Sequence, residues 1–107
     1  MTVMLGPIEA IPKGEGRAFV LRQARLAVFR DRDGNVYATQ AECPHRGGPL
    51  ADGLLGAGTL ICPLHSLKFD LRTGLSSGSV CALRVYPARL DERGQVLVDV
   101  DELEAAP

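Results

Sequence analysis

Two short segments of this 107-residue chain place a histidine close to a cysteine. Cys43 and His45 form C-P-H, and Cys62 and His65 form C-P-L-H after sixteen intervening residues. The sequence holds no other histidine, and one further cysteine. Two thiolates and two imidazoles make a complete set of four ligands for a soft metal centre. The pattern therefore indicates either zinc or an iron–sulfur cluster.

The way the ligands are divided between the segments favours a cluster. Structural zinc sites commonly take two cysteines from one turn and two histidines from another. Here each segment supplies one cysteine and one histidine, which suits two loops that reach across a dinuclear centre. A zinc-stabilised interaction domain without redox activity stays open as the alternative. Cys81 is left over, and we expect it to be a buried structural thiol.

The elements that must position these ligands are predicted to be strands. Short segments rich in β-branched and aromatic residues alternate with turn residues, and no stretch shows a 3.6-residue period of helical length. The Asp-Gly pair within residues 31–35 is typical of a hairpin. The glycine-rich stretch 43–58 disfavours long strands or helices. The predicted strands are 17–21, 25–30, 36–40, 59–62, 67–71, 82–90 and 95–100.

Composition excludes several classes of function. The formal net charge is −1, which gives no basic surface for nucleic acid or an anionic membrane. The longest nearly uncharged run is interrupted by glycine, proline and histidine, so it does not predict a membrane span. The amino terminus lacks the pattern of a signal peptide. These features predict a cytoplasmic protein with an aliphatic core, since aromatic residues make up 5% of the chain.

The two ligand segments resemble the Rieske [2Fe–2S] signature, in which two histidines replace two cysteines on one iron. The resemblance implies that Cys43 and Cys62 hold one iron, and that His45 and His65 hold the other. It extends over about residues 8–100. It implies an all-β fold, an antiparallel β-sandwich with a glycine-rich cluster-binding subdomain. We expect one domain over 1–107, with cluster-binding loops at about 42–68 and an acidic tail at about 101–107.

The ligand types bear on the reduction potential. Replacing two thiolates by neutral imidazoles removes negative charge, so an added electron meets less repulsion. Rieske centres accordingly span about −150 to +300 mV, against about −400 mV for all-thiolate plant-type centres. Respiratory members of the family carry a loop disulfide where this chain has Gly48 and Leu64. Ser66 stands where the family usually has glycine, and its hydroxyl is hypothesised to raise the potential by donating to a sulfur. These departures resemble the soluble, ferredoxin-type branch, whose potential is low.

The loop residues around the ligands allow further expectations. Leu50, Leu64 and Leu67 are candidates for an exposed apolar docking collar edged by Arg46, with core packing as the competing interpretation. Glycines of the loops are expected to permit the backbone shapes needed to wrap a cluster. These glycines are Gly47, Gly48 and Gly53.

The predicted function is one-electron transfer. All four ligand positions are filled, and no nucleophile–base pair or phosphate loop is apparent, so the chain is not expected to be catalytic alone. The segments CPHRGGPLADGLL, CPLHSLKFDLRTG and LRVYPARLDERGQVLV resemble the small subunit of assimilatory NAD(P)H-dependent nitrite reductase. That resemblance implies a large partner subunit with flavin and sirohaem. The alternative is the ferredoxin of an aromatic-ring-hydroxylating dioxygenase, with an oxygenase and a flavin reductase as partners.

Overall fold

The residues that the structure describes form three antiparallel β-sheets. A computed structural model of the chain describes residues 2–21, 25–43, 49–56, 58–62, 68–76 and 82–100. The strands are β1 (Thr2–Pro7), β2 (Glu15–Val20), β3 (Arg25–Arg30), β4 (Val36–Gln40), β5 (Leu54–Gly56), β6 (Thr59–Ile61), β7 (Lys68–Asp70), β8 (Val85–Tyr86), β9 (Ala88–Leu90) and β10 (Gln95–Asp99). Strand order is β1-β10-β9 in the first sheet, β2-β3-β4-β8 in the second and β5-β6-β7 in the third.

Strand β3 lies at the centre and is buried on both faces. Successive side chains of a strand point to opposite faces of the sheet. Leu26 and Val28 accordingly pack into one apolar cluster, and Ala27 and Phe29 into another. All four side chains are fully buried. The β2-β3-β4-β8 sheet is therefore the middle layer of the molecule.

The first apolar cluster joins the middle sheet to the β1-β10-β9 sheet. Alternate residues of β10 and the residue after it face the middle layer, and the 3₁₀ turn Ile8–Ala10 closes one edge. Arg30 donates from Nη1 to the carbonyl of Ile11 at 3.0 Å, which ties the turn to the end of β3. The buried members of this cluster are Ile8, Ile11, Leu26, Val28, Ala38, Tyr86, Val96, Val98 and Val100.

The second apolar cluster joins the middle sheet to the small β5-β6-β7 sheet. Leu60 and Phe69, which pair across β6 and β7, are fully buried against Phe29. A second 3₁₀ turn, Leu50–Asp52, precedes β5 and buries Leu50 in the same cluster.

Among the described residues, no helix has both the length and the apolar character that a membrane span requires.

Three of the turns between strands begin with an aspartate whose side chain accepts a backbone hydrogen bond. Asp31, Asp70 and Asp91 each accept, through Oδ1, the backbone N–H two residues further on, at 2.8 to 3.0 Å. Such side-chain bonds stabilise turns because they replace the backbone partner that a strand would supply. The chain then reverses at a glycine with positive φ; these glycines are Gly34, Gly74 and Gly94.

The predicted all-β architecture is confirmed, with differences in the number and bounds of the strands. Strands β3 and β4 have the predicted bounds, and the predicted strand 82–90 is divided at Pro87 into β8 and β9. Proline has no N–H to give a sheet ladder, which explains the interruption. Two strands, β1 and β5, were not predicted, since β1 ends in a Gly-Pro pair and β5 has three residues ending in glycine.

The glycine turns allow a matched prediction about stability. Gly34 and Gly74 both have positive φ, but a methyl group at Gly34 meets no atom within 4 Å, whereas one at Gly74 would overlap the Leu83 carbonyl. Gly34→Ala should therefore cost about 1–2 kcal/mol of backbone strain alone. Gly74→Ala should cost at least about 3 kcal/mol, because the backbone must also move. Thermal unfolding of both variants checks this; equal losses would contradict the overlap.

Candidate metal centre

The two cysteines of the predicted ligand set lie at the ends of two strands that lead toward one apolar cluster. Cys43 follows β4 after two residues, and Cys62 comes directly after β6. Their side chains are 3% and 1% exposed, and both belong to the cluster that contains Leu60 and Phe69. Both are thiols outside any disulfide. Sulfur in a water-excluded, apolar surrounding is a suitable donor for a soft metal.

The path of the chain into Cys43 is held by the side chain of Gln40, the last residue of β4. Its Nε2 donates to the Glu42 carbonyl at 2.7 Å, on the peptide that leads into Cys43. Its Oε1 accepts the Arg84 N–H at 2.8 Å. One side-chain amide thus ties the approach to Cys43 to the segment before β8. Gln40 was expected only as the last residue of a strand, and its position three residues before the C-P-H motif is the one feature of the sequence that could have indicated this role.

The histidines of the predicted set, His45 and His65, lie outside the described residues, as does Cys81. Their role as ligands therefore stays a prediction. Within the ranges that the structure describes, no group of three or more His, Cys, Asp and Glu side chains is assembled as a metal site. Several other predicted loop residues also lie outside the described ranges: Arg46, Gly47, Gly48, Leu64, Ser66 and Leu67.

Of the two interpretations of Leu50, an exposed docking collar or core packing, the structure supports core packing. Leu50 is fully buried in the apolar cluster that holds both cysteines. Its side chain packs inward because the 3₁₀ turn that it begins lies against the middle sheet. Leu54, which pairs across the small sheet with Ile61, is a large apolar side chain that is exposed, at 71%.

A polar groove lies at the other ends of the cysteine-bearing strands. Its volume is about 300 Å³, and it separates the turn before β4 from the start of β6 and the end of β7. Since β4 and β6 run from this groove toward Cys43 and Cys62, the groove is separate from the cysteines. Its lining residues are Asp31, Asp33, Asn35, Tyr37, Gly58, Thr59, Asp70 and Arg72.

The charged groups of this groove perturb one another. Burial acts to raise the pKa of the Asp31 carboxyl, but hydrogen bonds from Asn35, from the Asp33 N–H and from Tyr37 outweigh it, so the pKa lies below its ordinary value. Burial raises the pKa of Tyr37, and the negative charge of Asp31 raises it further. Asp31 is 5% exposed and holds the hairpin turn through these bonds. Its role is therefore structural.

Comparison with known proteins identifies the kind of domain. Residues 1–87 match the family described as the Rieske [2Fe-2S] domain. The anthranilate 1,2-dioxygenase ferredoxin subunit of Burkholderia cepacia is 38% identical over 101 residues, which is 90% of this chain and 89% of that protein. The oxygenase component of dicamba O-demethylase from Stenotrophomonas maltophilia is 37% identical over 102 residues. That match covers 91% of this chain and 28% of the relative, so the chain spans little more than a quarter of that protein.

A solved structure from Mycobacterium tuberculosis has the same fold. It was assigned as the small subunit of an NADH-dependent nitrite reductase, and it matches this chain with a TM-score of 0.87. The match covers 94% of this chain and 96% of that one at 24% sequence identity. At 24% sequence identity, this structural similarity is evidence for the all-β fold alone.

The charged side chains of the polar groove predict how substitutions change the pKa of Tyr37. Because the pKa of Tyr37 is raised in the folded chain, the neutral phenol contributes stability below pH 10, and this contribution is lost as the pH rises through the folded pKa. Two neighbouring carboxylates, Asp31 and Asp33, raise the pKa of Tyr37, and Asp31 has the larger effect. Asp31→Asn removes that charge and should therefore lower the pKa of Tyr37. Asp33→Asn, at an exposed position, should lower it less. An NMR titration of the Tyr37 ζ carbon measures both; equal shifts would contradict the assigned cause.

Proposed function

The chain belongs to the Rieske [2Fe–2S] domain family, and on this basis we propose that it is a dissociable one-electron carrier of an oxygenase system. The cofactor is a Rieske [2Fe–2S] cluster. The residues fit this cofactor, because two buried thiols reach one apolar cluster from two separate loops. When bound, the cluster supplies a one-electron redox couple.

The proposed ligands are those of the motif. We propose that Cys43 and Cys62 bind one iron and that His45 and His65 bind the other. The chain contributes two negative thiolates and two neutral imidazoles, so the ligand set carries less negative charge than four thiolates. The apolar side chains around Cys43 and Cys62 exclude water from the sulfurs and favour a centre of low net charge.

The similarity to a dioxygenase ferredoxin subunit is the observation that favours an oxygenase system. The ferredoxin subunit from Burkholderia cepacia matches nearly the whole of both chains at 38% identity. This likeness supports a chain that accepts electrons from a flavin reductase and donates them to an oxygenase. The match to the dicamba O-demethylase oxygenase component places a similar domain within a longer protein of related chemistry. The proposed partners are therefore two proteins, without nucleic acid or membrane.

A second candidate is the small subunit of NAD(P)H-dependent nitrite reductase. The observation in its favour is the set of loop residues GGPLADGLL after the first histidine, which resembles that subfamily. In this role the chain would be fixed to a large flavin- and sirohaem-containing subunit. Electron transfer through the same four ligands is common to both candidates.

We further propose that residues 1–107 form a single cytoplasmic domain with cluster-binding loops at about 42–68. The support for one domain is that β3 contributes side chains to both apolar clusters, so neither half of the fold has a core of its own. The tail at 101–107 lies outside the described residues.

The ligand assignment predicts the result of four substitutions. Cys43→Ser, His45→Ala, Cys62→Ser and His65→Ala should each abolish the red-brown colour and the EPR signal of the reduced protein, because each removes a metal ligand. Cys81→Ser is the matched control and should keep both. Iron content and EPR of the purified variants check this. An intact spectrum in a ligand variant, or a lost one in the Cys81 variant, would refute the assignment; a colourless, zinc-containing wild-type protein would favour the interaction domain.

The choice of system predicts which acceptor oxidises the reduced chain. Stopped-flow mixing with the oxygenase component of anthranilate 1,2-dioxygenase should give fast, concentration-dependent reoxidation. Mixing with the large subunit of a nitrite reductase should give slow reoxidation, and the two should not copurify. A stable complex with the large subunit, together with nitrite-dependent reoxidation, would instead select the second candidate.

A further inference from the structure

The segment from Pro49 to Gly53, here the bridging segment, is attached at its first residues to the chain that enters Cys43. Pro49 forms an antiparallel bridge with Glu42, the residue before Cys43. The Leu50 N–H donates to the Ala41 carbonyl at 3.0 Å. Both contacts are made by backbone, so they fix the distance between the two chain segments independently of side-chain type.

The other end of the bridging segment packs against the chain that enters Cys62. A methyl group placed on Gly53 would lie 2.5 Å from the carbonyl oxygen of Ile61, the residue before Cys62. The φ of Gly53 is −73°, which any residue adopts. Glycine is therefore required here for close approach of two backbones and not for its conformational freedom.

Between its ends the segment is a closed 3₁₀ turn. The Asp52 N–H donates to the Pro49 carbonyl at 3.1 Å, and the Gly53 N–H to the Leu50 carbonyl at 2.9 Å. The Leu50 side chain is fully buried in the apolar cluster that also holds Cys43 and Cys62. A short turn closed by hydrogen bonds and anchored by a buried leucine is a rigid spacer.

We propose that the bridging segment sets the separation of Cys43 and Cys62, with Gly53 as its positioning residue. One end is bonded to the backbone just before the first cysteine, and the other end is in close contact with the backbone just before the second. The inference rests on the proposed role of both cysteines as ligands. A side chain at position 53 would displace the Ile61–Cys62 peptide and thereby the geometry of the sulfur donor.

The test compares two alanine substitutions in the cluster-loaded protein. Gly53→Ala introduces the methyl group that meets the Ile61 carbonyl, whereas Gly56→Ala, three residues later, introduces one that meets no atom within 4 Å. Gly53→Ala should alter the EPR g-values of the reduced protein and raise the rate of iron release to a chelator by about tenfold or more. Gly56→Ala should leave both unchanged. A Gly53→Ala spectrum and release rate equal to wild type would overturn the proposal.

If Gly53→Ala does not fold, a second pair of variants tests the spacer role of the bridging segment. Ala51→Gly loosens the bridging segment without adding bulk, and Ala88→Gly makes the same change at another half-buried position, in β9. Iron release should be faster in Ala51→Gly than in Ala88→Gly; equal rates would refute the spacer role. Failure of the ligand assignment is distinct, because Cys43→Ser would then keep an unaltered cluster.

Discussion

The burial of β3 on both faces is the constraint on which the rest of the structure depends. A strand in the middle of two apolar clusters cannot alternate apolar and polar side chains, and Leu26 to Phe29 is apolar throughout. One cluster holds the β1-β10-β9 sheet, and the other holds the small sheet with both described cysteines. The cysteine-bearing subdomain therefore has no independent core, and a change in β3 is expected to act on the sandwich and on the proposed metal centre together.

As the proposed thiolate ligands, the two cysteines illustrate how apolar packing and metal chemistry can serve each other. Cys43 and Cys62 are buried among leucines and phenylalanines, where a thiolate charge is costly unless a metal neutralises it. The same apolar side chains keep water from the sulfurs once the metal is bound. Folding of this half of the molecule and metal binding are therefore expected to reinforce each other.

Local patterns in the sequence predicted the parts of the structure that depend on local chemistry. The Asp-Gly turn at 31–35 and the strands on either side of it were predicted because hairpin chemistry lies in adjacent residues. The sequence could not decide between an exposed and a buried Leu50, since a leucine in a glycine-rich loop has no periodic partners, and its burial depends on the distant strand β3. Gly53 was expected to permit a backbone shape needed to wrap a cluster, yet its φ is −73°, which any residue adopts. Its close contact is with the Ile61 carbonyl, which no pattern near residue 53 encodes.

The three aspartate turns lie at the end of the molecule remote from Cys43 and Cys62. The 31–35 turn follows the end of β3 that is far from the cysteines, and the turn after β7 lies at the corresponding end of the small sheet. The 91–95 turn lies beside Ile8, whose N–H donates to the Gly94 carbonyl. The 31–35 and 91–95 turns have exposed tips, and exposed turn tips tolerate insertions. They thus offer attachment points for a tether to an electrode or to a fused reductase that would leave the opposite end, which carries the proposed ligands, open.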